Sequence, residues 1–99
     1  MDAVQAMGTY QQSLEAFGNS ALELTTQLDI GFDQASAKLD ALYDHCKHEM
    51  SRLTEAFGRR PWSVSDQIEL RRAADHSMTT LDELKQQFRS AIATMHMKE

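Results

Sequence analysis

The stretch FGRRPWSVSD, residues 57–66, ends one helix and starts another. Gly58 stands directly after Phe57, the last apolar residue of a periodic run, where a left-handed helix C-cap is expected. Pro61 cannot continue a helix, because it has no amide proton and its ring clashes with the preceding turn. Ser63 with Asp66 three residues on has the spacing of a capping box, and Ser65 is the rival N-cap. Residues 58–64 are therefore expected to be a turn.

On either side of this turn runs an apolar stripe with steps of three and four. Upstream it reads Val4, Met7, Leu14, Phe17, Ala21, Leu24, Leu28, Phe32, Ala35, Leu39, Leu42, Cys46, Met50, Leu53, Phe57. Downstream it reads Val64, Ile68, Met78, Leu81, Phe88, Ile92, Met95. Such spacing aligns side chains along one face of an α-helix. The expected fold class is all-α: a long antiparallel helical hairpin, with one helix over about residues 10–57, a turn at 58–64 and a second helix over 65–96. All 99 residues form a single helical domain, and residues 1–12 are expected to fray.

The first arm is longer than its partner. Leu14, Ala21, Leu28, Ala35 and Leu42 keep a seven-residue spacing, and Phe17 and Leu24 form its companion row. The companion row would next fall on Gly31, but it resumes one residue later as Phe32, Leu39, Cys46 and Leu53. A slip of one residue in a helical seam means altered supercoiling or a bend, so a kink is expected near Gly31. Either the chain folds back there into a three-helix bundle, or Leu14, Phe17, Ala21, Leu24 and Leu28 meet another subunit. Gly31 is not accompanied by Pro or by a cluster of turn residues, which favours the second reading.

Composition narrows the function. Charged residues are 25% and hydrophobic residues 41%, ordinary for a folded domain. No Lys or Arg precedes Lys38, so Asp2, Glu15, Glu23, Asp29 and Asp33 account for the whole net charge of −5. Nucleic acid and anionic membrane surfaces both require a concentrated basic face, and neither is expected as a partner. No apolar run approaches the roughly 18 residues of a membrane span. The N-terminus lacks the basic-then-apolar pattern of a signal peptide. The location expected is the cytoplasm, or the cell envelope or exterior by a route that uses no such signal. The single cysteine, Cys46, permits no internal disulfide and reads as a small buried hydrophobe.

Three clusters deserve a chemical reading. In Asp44-His45-Cys46-Lys47-His48-Glu49, His45 and Glu49 are four apart, as are Asp44 and His48, so each pair can share a helix face, and His45, His48 and Glu49 are the candidate metal ligands. The two i, i+4 pairs point in different directions, so a solvated helix face is preferred, with no metal and no cofactor. Arg52, Arg59, Arg60, Arg71 and Arg72 gather near the turn. Their ordinary role is to complement the helix dipole and neighbouring carboxylates. Their sharper role is a basic tip that docks an acidic partner, such as the acidic N-terminal third of another copy. Trp62 is expected to cover the open end of the hairpin against Phe57 and Ile68, the alternative being an exposed binding anchor. The partner-binding candidates are thus Leu14, Phe17, Ala21, Leu24, Leu28, Arg59, Arg60 and Trp62. No nucleophile–base pair or phosphate loop is readable, and the protein is expected not to be an enzyme.

The stretches FDQASAKLDAL (32–42), RLTEAFG (52–58) and SDQIELRRAADHSMTTLDELKQQFRSAIATM (65–95), with the short Pro-containing turn between them, resemble the small helical hairpin subunits of bacterial type III secretion and flagellar export machines. That family includes the flagellar hook–basal-body adaptor and the virulence-system inner-rod and needle proteins. The resemblance covers about two-thirds of the chain. It departs at Arg60-Pro61-Trp62-Ser63, where needle proteins carry a Pro-Ser-Asn-Pro-like turn, and in lacking the flagellar adaptor's Arg-Asn. The resemblance implies a non-enzymatic structural or assembly protein that packs through amphipathic helix faces, as a homo-oligomer or a heterodimer. A small co-chaperone or adaptor that holds a secreted partner has the same hairpin form. A metal-responsive helical protein using His45, His48 and Glu49 is the remaining alternative.

Overall fold

In a computed structural model, which describes residues 1–27 and 29–97, the chain forms three helices. They are α1 (Ala3–Leu24), α2 (Phe32–Gly58) and α3 (Val64–Met97). The all-α expectation holds in its three-helix form: the long first arm is broken into α1 and α2, and each helix packs on both others.

α1 begins at Ala3, not near residue 10, because a capping box closes its first turn. Asp2 Oδ1 accepts from the Gln5 amide at 2.8 Å, and Gln5 Oε1 accepts from the Asp2 amide at 3.0 Å. Packing then holds this turn down: Ala6 is fully buried and Tyr10 is 2% exposed. The helix thus includes residues 3–12, within the stretch expected to fray. α1 ends at Thr25-Thr26, whose hydroxyls donate back to the carbonyls of Leu22 (2.6 Å) and Glu23 (2.8 Å). Threonine hydroxyls satisfy helix-end carbonyls in this way in place of further helical amides.

Gly31 is the N-cap residue of α2, at φ −74° and ψ 166°, an extended conformation open to any residue. The one-residue slip in the stripe is therefore the mark of a chain reversal and not of a kink.

The second turn lies where residues 58–64 place it, but its cap differs from expectation. No described residue adopts positive φ, and Arg59, in the right-handed region, is the C-cap. The end of α2 is closed by donors from downstream: the Arg60 amide (3.1 Å) and the Trp62 indole Nε1 (2.7 Å) both donate to the Phe57 carbonyl. A side-chain donor that reaches the last carbonyls removes the need for a left-handed glycine. Ser63 Oγ accepts from the Asp66 amide at 3.1 Å, so Ser63 and not Ser65 caps α3.

The arrangement is up-down-up. Tyr10 meets Phe57 edge-on (5.8 Å) at one end, Phe17 meets Phe88 (6.1 Å) further along, and Phe32 meets His96 (6.0 Å) at the other end. At about 1.5 Å per residue, the 34 residues of α3 run the length of a rod 55 × 16 × 15 Å. One core runs through it. α1 contributes Ala6, Tyr10, Phe17, Ala21 and Leu24; α2 contributes Ala35, Leu39, Cys46, Met50 and Phe57; α3 contributes Leu70, Ala74, Leu81 and Ile92. The stripe needs correction at its ends. Val4 and Val64 are each 73% exposed and Ile68 49%, whereas Ala3, Ala6 and Tyr10 are buried.

A polar clamp sets the register of α2 against α3. Asp40 Oδ1 accepts from Arg89 Nη2 (2.8 Å) and pairs with Lys85 Nζ (3.4 Å). The Tyr43 hydroxyl donates to Asp82, and Lys85 Nζ lies 4.1 Å from the centre of the Tyr43 ring. The Asp82 hydrogen bond, with lesser help from burial and neighbouring carboxylates, pushes Tyr43 up to about 12. A pKa raised on folding contributes stability that is full below the unfolded value of 10.0 and is lost as pH climbs towards 12. Melting temperature measured across this alkaline range should therefore fall more steeply for the natural protein than for Tyr43→Phe. Parallel curves would mean that the hydroxyl adds nothing to folding.

Candidate functional site

Among the described residues, the large apolar side chains left exposed all lie close to helix termini. Met1, Val4, Val64 and Ile68 belong to the end that carries the α2–α3 turn. Leu22, Phe32 and Met97 lie toward the opposite end. The sides of the rod are polar. The turn end also holds an aromatic cleft of about 350 Å³, floored by Tyr10, Phe57, Trp62, Leu70 and Ala74 and rimmed by Thr54, Arg60, Gln67, Arg71 and Asp75.

Local chemistry fixes this cleft. Trp62 is held by its indole bond to the Phe57 carbonyl, lies edge-on to the Phe57 ring at 6.4 Å, and offers its own carbonyl to Gln67 Nε2 at 3.1 Å. The Arg60 guanidinium sits 5.4 Å from the centre of the Trp62 ring, a cation–π contact that orients the charge over the cleft. Tyr10 closes the floor, with its hydroxyl 2.7 Å from Thr54 Oγ1. Thr54 gives its only proton to the Met50 carbonyl (3.0 Å), so Tyr10 is the donor in that pair. Burial raises the Tyr10 pKa. Arg60 and Arg71 are exposed and make no ion pair among the described residues. The cleft thus combines apolar walls and two guanidinium groups that make no ion pair among the described residues with one carboxylate, Asp75.

The structure divides the sequence candidates. Arg60 and Trp62 meet at the cleft, with Arg71 from the same arginine cluster. Arg59 turns away to pair with Glu55 (2.7 Å), exposed on both sides, and lines an open groove of about 700 Å³ between α1 and α2. Trp62 is half-buried against Phe57, but its expected partner Ile68 points to solvent. The N-terminal seam is corrected. Phe17 (3% exposed), Ala21 (0%) and Leu24 (4%) lie in this chain's own core, and Leu14 packs partly buried against it. Leu28 lies outside the described residues. Of the candidate metal ligands, His45 and Glu49 approach to 3.9 Å on an exposed face, and His48 stands apart. No three His, Cys, Asp or Glu converge among the described residues. Cys46 points inward and its thiol donates to the Ser13 carbonyl at 3.5 Å; burial, then the nearby Glu49, push it up to about 11.

Tyr10, Leu70 and Ala74 are the residues of the cleft floor that sequence reasoning missed. A signal for Tyr10 was present: Ala3, Tyr10, Phe17 and Leu24 are spaced by seven, the row that Phe17 and Leu24 begin when it is extended backwards. No helix among the described residues is long and apolar enough to cross a membrane. No protein-family model, curated protein or solved structure matches this chain.

Proposed function

We propose that this protein is a non-enzymatic assembly protein that acts through contacts at the two ends of its rod, in an export apparatus of the type its sequence resembles. The observation that carries the reading is the placement of exposed apolar side chains at the helix termini, with polar flanks between them. Exposed apolar side chains gathered into one patch, rather than scattered singly, mark places where proteins meet. The export setting rests on the resemblance of residues 32–95. An adaptor or co-chaperone that presents one end to a secreted protein is the second reading, favoured by the aromatic cleft at the turn end.

A photo-crosslinking amino acid placed at Val64, at Phe32 or at the exposed mid-rod position Glu83, in the full chain within its native cells, tests this. Protein adducts are expected from Val64 and Phe32 and not from Glu83. Adducts from Glu83 alone would overturn the reading.

A further inference from the structure

The two ends of the rod are complementary. At the turn end, Arg60 and Arg71 line the aromatic cleft and make no ion pair among the described residues. At the other end, the segment Asp29-Ile30-Gly31-Phe32-Asp33 carries an exposed aromatic between two exposed carboxylates. Phe32 is 42% exposed while its ring lies edge-on to His96, and neither Asp29 nor Asp33 makes an ion pair among the described residues. We propose that the turn-end cleft of one copy receives the 29–33 segment of a second copy, with Phe32 against Trp62 and Phe57 and the two aspartates facing Arg60 and Arg71. This deepens the assembly reading and rests on it.

The chemistry fits on two counts. An aromatic ring gains from edge-to-face contact with other rings, and the cleft offers the half-buried Trp62, backed edge-on by the buried Phe57, which Tyr10 supports in turn. Guanidinium groups match carboxylates in bidentate pairs, and two cations against the single Asp75 leave the cleft with a surplus of positive charge. The two patches belong to opposite ends of one molecule and are different from each other. Their contact is therefore heterologous: it joins head to tail and extends as a linear chain of rods instead of closing as a symmetric dimer. An end face of a rod only 16 × 15 Å across is small, below the roughly 1,200–2,000 Å² of total burial in stable complexes. The association is accordingly concentration-dependent, and its exposed charge pairs weaken with salt.

The test is sedimentation velocity on the full chain from micromolar to millimolar concentration, at low and high salt, with two charge-reversed variants. Arg60→Glu/Arg71→Glu has an acidic cleft facing an acidic segment, and Asp29→Arg/Asp33→Arg has a basic cleft facing a basic segment. The natural chain is expected to form growing species at high concentration and low salt. Each variant alone is expected to associate at least about a hundredfold more weakly, since like charges are then apposed. An equimolar mixture of the two should regain association, because each acidic end then meets a basic one. Circular dichroism establishes that both variants fold, and Phe32→Ser, at an exposed position, supplies an independent loss of association if Arg at position 33 disturbs the start of α2. A natural chain that stays monomeric throughout overturns the proposal, as does a mixture that stays monomeric while the natural chain associates. If the chain is monomeric and crosslinks from Val64 reach a different protein, the end-contact reading of function stands and this inference falls; absence of crosslinks from both ends removes both.

Discussion

Leu24→Asp is expected to unfold the bundle. Leu24 is 4% exposed in the shared core, so the change removes a buried leucine and places a carboxylate among apolar side chains. Loss of a buried leucine alone costs about 2–5 kcal/mol, and an unpaired buried charge adds to it. Domains of this size hold only about 5–15 kcal/mol of stability in total. Far-UV circular dichroism with a thermal melt should show most helical signal and the cooperative transition lost. Leu22→Asp, two residues away at a position 58% exposed, should leave the melt almost unchanged. A Leu24→Asp chain that melts like the natural one and has lost only self-association would mean that Leu24 faces another copy, as the sequence first suggested.

A chain beginning at Phe32 is the second large change. It keeps α2, α3 and the Asp40–Arg89 clamp but removes the third wall of the core. Leu39, Cys46 and Met50 are at most 4% exposed in the complete molecule, and α1 packs on the helix that bears them. Two helices enclose little volume, and most helical stability in proteins comes from packing an amphipathic face against others. The shortened chain is expected to lose cooperative melting, and a peptide of residues 1–31 added in trans should restore it. A shortened chain with an undiminished melting transition would show α1 to be an appendage to a self-sufficient hairpin.

Both expectations turn on the connection at residues 25–31, where the sequence was hardest to read. Thr25 and Thr26 end α1 by bonding back to their own helix, an option that threonine also has inside a helix. Gly31 caps α2 in an ordinary extended conformation, so it carried none of the Pro, Asn or positive-φ signature that marks a tight turn. At the other turn, Pro61 and Ser63 act through their own covalent structure and hydrogen-bonding groups, and the break fell where those residues placed it. The candidate site was partly legible for the same reason. Trp62 and Arg60 stood out by residue type, whereas Tyr10 and Leu70 join them only because α1 and α3 are folded against the turn.

The sequence by itself determined that the chain is helical, that its helices have one apolar face, and that a turn separates α2 from α3. Those properties are local: side-chain periodicity, proline geometry and capping groups act within a few residues of chain. Only the tertiary structure decided that Phe17, Ala21 and Leu24 pack against this chain's own α2 and α3, that Val64 and Ile68 stay in water, and that an aromatic cleft forms at the end of the rod. The physical reason is that the hydrophobic effect has no direction and does not distinguish one chain from another. An apolar stripe states that a helix face will be buried, and its partner is chosen by the length of the connection and by which arrangement covers the most surface.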